Sequence, residues 1–394
     1  MIYLDNGATT FPKPECVYDT VDTFGRTGAV NAGRGAYKAA RAATEMIREV
    51  KRQLISLCDA KDQAEVVLTP SVTIALNQII CGQKWEAGMA AYVSPYEHNA
   101  VLRPLDLLRR RVGIQVIELP LRPDLSIDLE ETERMFRETP PAFVSVSAIS
   151  NVTGYVLPAR EIFLLAKEYG AFTLLDAAQA MGLLKLRFAQ LRADAVAFAG
   201  HKTLYAPFGI AGFFIKNGVD LEEFIVGGNG TKSLSLEMPA YMPEKMESAS
   251  MDTVAIAGLR ASLDWLKTVR PWKAEHELME YLVPQLEAIP GLTLYRAPSM
   301  DCQAGVISLN LEGFRANEVA AILDKEWDIA VRAGHHCAAL IHRHLKDHVH
   351  DGTVRVSLGV FNTREDLDTL AAGLQSIDRE MLKGISNDVL RGNC

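Results

Sequence analysis

Between residues 65 and 215 the chain alternates short apolar runs with longer amphipathic ones, and polar residues follow nearly every apolar run. The runs at 65–70, 90–94, 114–119, 142–147, 172–176, 195–199 and 211–215 have strand length and turn residues at their ends. Helical spacing fills gaps at 74–80, about 128–138 and about 159–168. Few folds accept this alternation. It predicts an α/β architecture with a mostly parallel, doubly wound sheet covered on both faces. Ligands of such sheets bind beyond the carboxyl ends of the strands. Ser71 to Thr73, His98, Asn151, Asp176, Gln179 and Lys202 fall at or just after strand ends, so one cleft is predicted to collect them.

The stretch D-A-V-A-F-A-G-H-K at 194–202 reads as a buried strand that delivers Lys202 beyond the sheet. A surface lysine after a strand is the plain alternative. Desolvation would lower the pKa of this one and leave a neutral amine able to attack a carbonyl. Ser71-Val72-Thr73, between a strand and a helix start, has two readings. It is an ordinary helix cap, or an anion site built from hydroxyls and free amides.

Residues 1–20 read as an N-terminal arm, with Asn6-Gly7 and then Pro12 and Pro14. Met46, Ile47, Val50, Leu54 and Leu57 share one face of an amphipathic helix at 40–58, preceded by a glycine-rich loop at 31–35. Residues 21–255 are expected to form the large domain, with loop-like sequence over 227–251 and a helix at about 254–268. Residues 256–394 are expected to form a smaller α+β C-terminal domain, with strands at 305–311 and 353–358 and helices at about 316–326 and 364–378. Inside it lies V-R-A-G-H-H-C at 331–337. A cysteine after a glycine and two histidines is a candidate reactive thiol, because cationic neighbours favour the thiolate. The alternative is a buried structural cysteine. Six of the nine histidines lie between 335 and 350, and His344 and His348 are spaced to share a helix face. No ligand pattern of known spacing completes a metal site, so none is predicted.

The net charge of −8 disfavours nonspecific nucleic-acid binding. No apolar run approaches the ~20 residues needed to span a bilayer, and the first residues lack the basic and apolar regions of a signal peptide. Cys16, Cys58, Cys81, Cys302, Cys337 and Cys394 are scattered without a C-x-x-C pair. They read as reduced thiols of a cytoplasmic protein.

With Lys202 and Cys337 placed, the sequence resembles the cysteine desulfurases, in the class V aminotransferase group of fold-type I pyridoxal-phosphate enzymes. The resemblance runs through Y-L-D-N-G-A-T-T at 3–10, L-T-P-S-V-T-I-A-L-N at 68–77, Y-E-H-N-A-V at 96–101 and S-N-V-T-G at 150–154. It continues in L-L-D-A-A-Q at 174–179, A-G-H-K at 199–202, V-R-A-G-H-H-C-A at 331–338 and V-R-V-S-L-G-V-F-N-T at 354–363. It implies a pyridoxal 5'-phosphate cofactor joined to Lys202, with Asp176 on the pyridinium nitrogen and His98 stacked on the ring. Asn151 and Gln179 would lie near the phenolic oxygen. Thr73, the Val72 backbone and His201 would hold the phosphate, with Ser250 reaching it from a partner subunit. Arg355, with Asn151, would bind the substrate carboxylate, and Cys337 would attack the sulfur of L-cysteine to form a persulfide. An N-terminal arm packed on the small domain, a homodimer and a sulfur-acceptor protein are implied as well.

Two positions depart from the family pattern. Ala199 stands where relatives carry Ser or Thr. E-S-A-S-M-D at 247–252 replaces E-x-G-T-P-N and keeps only the Ser250 hydroxyl. Other readings with the same cofactor are a selenocysteine lyase, a cysteine-sulfinate-type lyase or an aminotransferase. A non-catalytic sulfur- or metal-binding scaffold is the alternative of another class.

Overall fold

The computed structural model describes residues 1–33, 35–231, 234–386 and 390. Cys394 lies outside the described residues, as do Arg34 of the predicted glycine-rich loop and Lys232 and Ser233 of the loop-like stretch. A strand at Ile2–Tyr3 (β1) opens the chain, followed by helices α1 (Glu15–Thr27) and α2 (Lys38–Leu57). The central sheet takes β2 (Ala64–Thr69), β3 (Ala90–Val93), β4 (Gln115–Glu118), β5 (Pro141–Ser147), β6 (Phe172–Asp176), β7 (Ala195–Ala199) and β8 (Ala211–Lys216). The helices between them are α3 (Val72–Cys81), α4 (Asn99–Val112), α5 (Leu129–Glu138), α6 (Ala159–Glu168) and the short α7 (Phe188–Leu191). Sheet order is β2-β8-β7-β6-β5-β3-β4. β8 runs antiparallel to both its neighbours, and every other pairing is parallel. The predicted strands are all present. Their near-continuous apolar character reflects burial on both faces: every residue of β3 and β7 is buried.

The second half contains α8 (Thr253–Leu266), α9 (Pro271–Glu287), α10 (Ala316–Trp327), α11 (His342–Leu345) and α12 (Arg364–Ser376). Its strands are β9 (Leu292–Tyr295), β10 (Val306–Leu311), β11 (Ile329–Ala330), β12 (Arg332–Gly334) and β13 (Thr353–Ser357). An antiparallel sheet of order β12-β13-β10-β9 carries its own core, which includes Leu309, Leu323, Val356 and Leu370. β1 pairs in parallel with β11, and Leu4 joins this second core. Helix α1 runs through position 20, while α8 crosses position 255 and buries Ile256, Leu259 and Leu263 in the core of the central sheet. Ala297, Ala304, Ala338, Ile341 and Leu345, all beyond α8, join that same core. Among the described residues no helix is long and apolar enough to cross a membrane.

Candidate active site

The parallel strands end on one edge of the sheet, and the turns after β2, β3, β5, β6 and β7 meet there. Val72, His98, Asn151, Asp176, Gln179 and Lys202 line one pocket at this edge, with Leu76, Ala100, Ser147 and Ile149 between them. Asp176 is the last residue of β6 and is buried. Burial raises its pKa, while the Ala178 N–H at 2.9 Å and the charge of Lys202 pull it back. Lys202, in the turn after β7, has its pKa lowered to about 8, chiefly by burial and against the pull of Asp176. His98 caps α4, its Nδ1 accepting from the Ala100 N–H at 3.0 Å. Burial first, then the charge of Lys202, takes its pKa down to about 4, so the imidazole is neutral.

Both readings of Ser71–Thr73 have a counterpart in the geometry. Ser71 Oγ caps α3 by accepting from the Ile74 N–H at 3.3 Å. That leaves the Val72 and Thr73 amides, in the first turn, without an intrahelical partner. Val72 lines the pocket and Thr73 is exposed. His201 packs on Phe208 with ring centroids 4.5 Å apart, and its Nδ1 is buried without a partner among the described residues. Ala199 is fully buried and pairs with Ala211 of β8. Ser250 is exposed and is not among the residues lining the pocket.

The segment after the N-terminal strand is hydrogen-bonded to residues of the site. Gln179 Nε2 donates to the Gly7 carbonyl at 2.8 Å. Lys13 Nζ and the Thr10 N–H donate to the His201 carbonyl at 2.8 and 3.1 Å. Arg355 is buried on β13; its Nη2 bonds Asp5 at 2.6 Å and its Nη1 the Asn151 carbonyl at 3.1 Å. Its Nε is buried and has no hydrogen-bond partner among the described residues. A Cβ on Gly7 would sit 3.2 Å from Arg355 Cζ and from Ser357 Oγ, so a side chain there would require those groups to give by a few tenths of an ångström.

The cysteine loop closes the arrangement. His336 and Cys337 both adopt left-handed backbone, with φ of 48° and 57°. Two carbonyls fasten them: Asn99 N–H donates to the Cys337 carbonyl at 2.7 Å, and Asn151 Nδ2 to the His336 carbonyl at 2.7 Å. Asn99 adjoins His98, and Asn151 lines the pocket. The Cys337 side chain itself is exposed.

One sequence expectation fails here. Helix α11 ends at Leu345, Lys346 turns left-handed, and His348 begins a separate 3-10 turn, so His344 and His348 share no helix face. His344 instead pairs with Glu118 at 2.5 Å. Among the described residues no group of three or more His, Cys, Asp or Glu is placed to hold a metal.

The model of the aminotransferase class-V family matches residues 2–370. The chain belongs to the class-V aminotransferases. Cysteine desulfurases of Escherichia coli O127:H6 and Shigella sonnei are each 32% identical over 392 residues, spanning 96% of this chain and 94% of theirs. The apo cysteine desulfurase of Thermococcus onnurineus NA1 superposes with a TM-score of 0.87 at 28% identity, covering 98% of this chain and 95% of that one. The cysteine desulfurase CsdA of Escherichia coli gives 0.81 at 25%, with the same coverage.

This class-V aminotransferase also has site residues that sequence reasoning did not mark. Glu97, beside His98, is wholly buried and accepts from Ser94 Oγ (2.7 Å), Ser145 Oγ (3.0 Å) and the Ser147 N–H (2.5 Å). Burial lifts its pKa to about 7 despite those donors. Among the described residues Lys13 has no carboxylate partner, and burial lowers its pKa to about 7. Asp5 and Gly7 lie in a quoted motif, but nothing local marks them as neighbours of Arg355.

Proposed function

We infer that this protein is a pyridoxal-phosphate-dependent cysteine desulfurase that converts L-cysteine to L-alanine and passes the sulfur on from Cys337. One observation carries the reading: a lysine, a buried carboxyl and a neutral histidine line one pocket, and the cysteine loop is hydrogen-bonded to Asn151 of the same pocket. The donor set suits the cofactor. No hydrogen bond from Lys202 Nζ is formed among the described residues, the first amides of α3 are free, and His201 Nδ1 is orphaned. Lys202 would hold the cofactor's aldehyde carbon, Asp176 its ring nitrogen and His98 its ring face. Asn151 and Gln179 would bond near its phenolic oxygen. Val72, Thr73 and His201 would hold its phosphate, joined by Ser250 of a second copy.

When bound, the cofactor supplies an electron sink for the charge left by a departing Cα proton. The chain does the rest. Arg355 grips the substrate carboxylate, for which its spare Nε–H and planar fork are suited. Lys202 holds the Cα proton at Nζ, a role its lowered pKa fits. His98, being neutral, adds no charge over the ring. The Cys337 thiolate attacks the substrate sulfur; the new S–S bond forms as the Cβ–S bond breaks, and its electrons go to carbon, which takes up a proton. The persulfide on the exposed Cys337 is then open to an acceptor protein. Exposed Phe224, Val226, Leu234 and Leu236, in the segment leading to Ser250, favour a homodimer.

The test is incubation of purified enzyme with L-cysteine, and separately with L-selenocysteine, with and without reductant. With L-cysteine and reductant, alanine and sulfide in equal amounts are expected. A keto acid in place of alanine would show a transaminase and overturn the reading.

A further inference from the structure

The arm that opens the chain grips the backbone on both sides of Lys202. The His201 carbonyl, in the peptide that precedes Lys202, accepts from the Thr10 N–H at 3.1 Å, Thr9 Oγ1 at 2.9 Å and Lys13 Nζ at 2.8 Å. The Lys202 carbonyl accepts from Thr10 Oγ1 at 3.1 Å and from the Tyr205 N–H at 2.7 Å. Among the described residues every donor to the His201 carbonyl comes from residues 9–13. The turn after β7 therefore does not orient this peptide by itself.

The arm is held at its other end as well. Tyr3 Oη donates to the Thr9 carbonyl at 2.9 Å, and Asn6 Oδ1 accepts from the Phe11 N–H at 3.2 Å. Asn6 Nδ2 donates to the Ser357 carbonyl at 3.1 Å, and the Gly7 N–H to Ser357 Oγ at 2.8 Å. Ser357 lies on β13, the strand of Arg355, which itself bonds Asp5. Residues 5–13 thus join the strand of the arginine to the turn of the lysine.

Lys13 is the costly member of this grip. It is partly buried, and its ammonium donates to Thr10 Oγ1 at 2.7 Å and to the His201 carbonyl. Neutral acceptors replace less of the hydration an ammonium loses than a carboxylate would, and burial lowers its pKa to about 7. The unfolded chain binds that proton more tightly, so the lysine costs stability at and below neutral pH. Stability therefore does not account for a lysine at this position, whereas its bond to the peptide before Lys202 gives it a use.

We propose that Lys13, acting with Thr10, is a positioning residue that fixes the two peptides flanking Lys202 and so aims the Lys202 side chain into the pocket. Its use rests on Lys202 being the residue that holds the cofactor in the function proposed above.

The test strips the holoenzyme of pyridoxal phosphate and follows the return of its visible absorption when the cofactor is added back. It also measures kcat and KM for L-cysteine and the urea midpoint at neutral pH. Lys13→Met is expected to slow the return of the band about 10- to 100-fold and to lower kcat by a similar factor with KM unchanged. Its urea midpoint should be unchanged or raised. Lys13→Arg, which keeps a cationic donor, should recover most of both rates. Thr10→Val removes the hydroxyl that reaches both carbonyls; it should act in the same direction, and it keeps the test decisive where Lys13→Met fails to fold. Rates equal to those of the unmodified enzyme overturn the proposal. So does a loss of rate matched by a fall in the urea midpoint, which marks a purely structural role. The band needs no substrate: an enzyme that makes a keto acid from L-cysteine but shows the slowed band loses the desulfurase reading and keeps this one. An unmodified enzyme that gives no band overturns both.

Discussion

The strand-end wall of the cleft and the cysteine loop against it hold their functional side chains in opposite ways. Asp176 ends β6 and pairs with Ala197 of β7, and Lys202 lies in the turn that follows β7, so both are tied closely to the backbone ladder. Cys337 is exposed, in left-handed backbone that costs a non-glycine residue about 1 kcal/mol or more. Its loop is fixed by carbonyls, through Asn99 and Asn151, while the thiol is left unconstrained. One wall is suited to holding a group still during proton transfer. The other is suited to presenting a sulfur first to a substrate and then to an acceptor.

The comparison breaks if the two walls do not separate by mutation. Lys202→Ala should abolish the visible absorption of bound cofactor and cut alanine formation on the order of 10³-fold or more. Cys337→Ala should cut alanine formation from L-cysteine roughly 10²-fold yet leave the absorption band unchanged in a spectrophotometer. A lost band would show the walls to be one unit. Between them stands Arg355, buried and tied to both Asp5 and Asn151. Arg355→Lys, which removes the planar fork, should lower kcat/KM about 10- to 100-fold, mostly through KM. An unchanged KM would move the carboxylate site elsewhere.

The smallest effect is on stability. The unfolded chain binds the Lys202 proton more tightly than the folded one, whose pKa is lowered from 10.5 to about 8. Folding therefore bears the full cost below about pH 8, and stability rises with pH from there to the unfolded value. Lys202→Met should stabilise the cofactor-free protein by about 1–3 kcal/mol near neutral pH, with the gap closing at high pH in urea titrations. A gap independent of pH would mean that the lysine is not desolvated.

Much of the strand-end wall was legible in the sequence because its order is local. An apolar run of five, a turn and a polar residue declare a strand end, and the doubly wound topology gathers such ends on one edge. Glu97 was not legible, because its burial depends on donors from β5 and the turn after β3 closing around it. His344 and His348 share no helix face because Lys346 turns left-handed and ends the helix that the spacing presumed. Ser71 shows the opposite case, where one residue caps a helix and its neighbours keep their amides free.

By itself, the sequence determined the α/β alternation, the lysine turn and the residues that follow each strand. Periodicity and turn chemistry act over a few residues, so they are written where they act. Only the tertiary structure decided that Arg355 meets Asp5 across 350 positions and that Asn151 bonds the loop of Cys337. Those contacts depend on how the two sheets and the N-terminal strand pack together, and no local pattern encodes such packing.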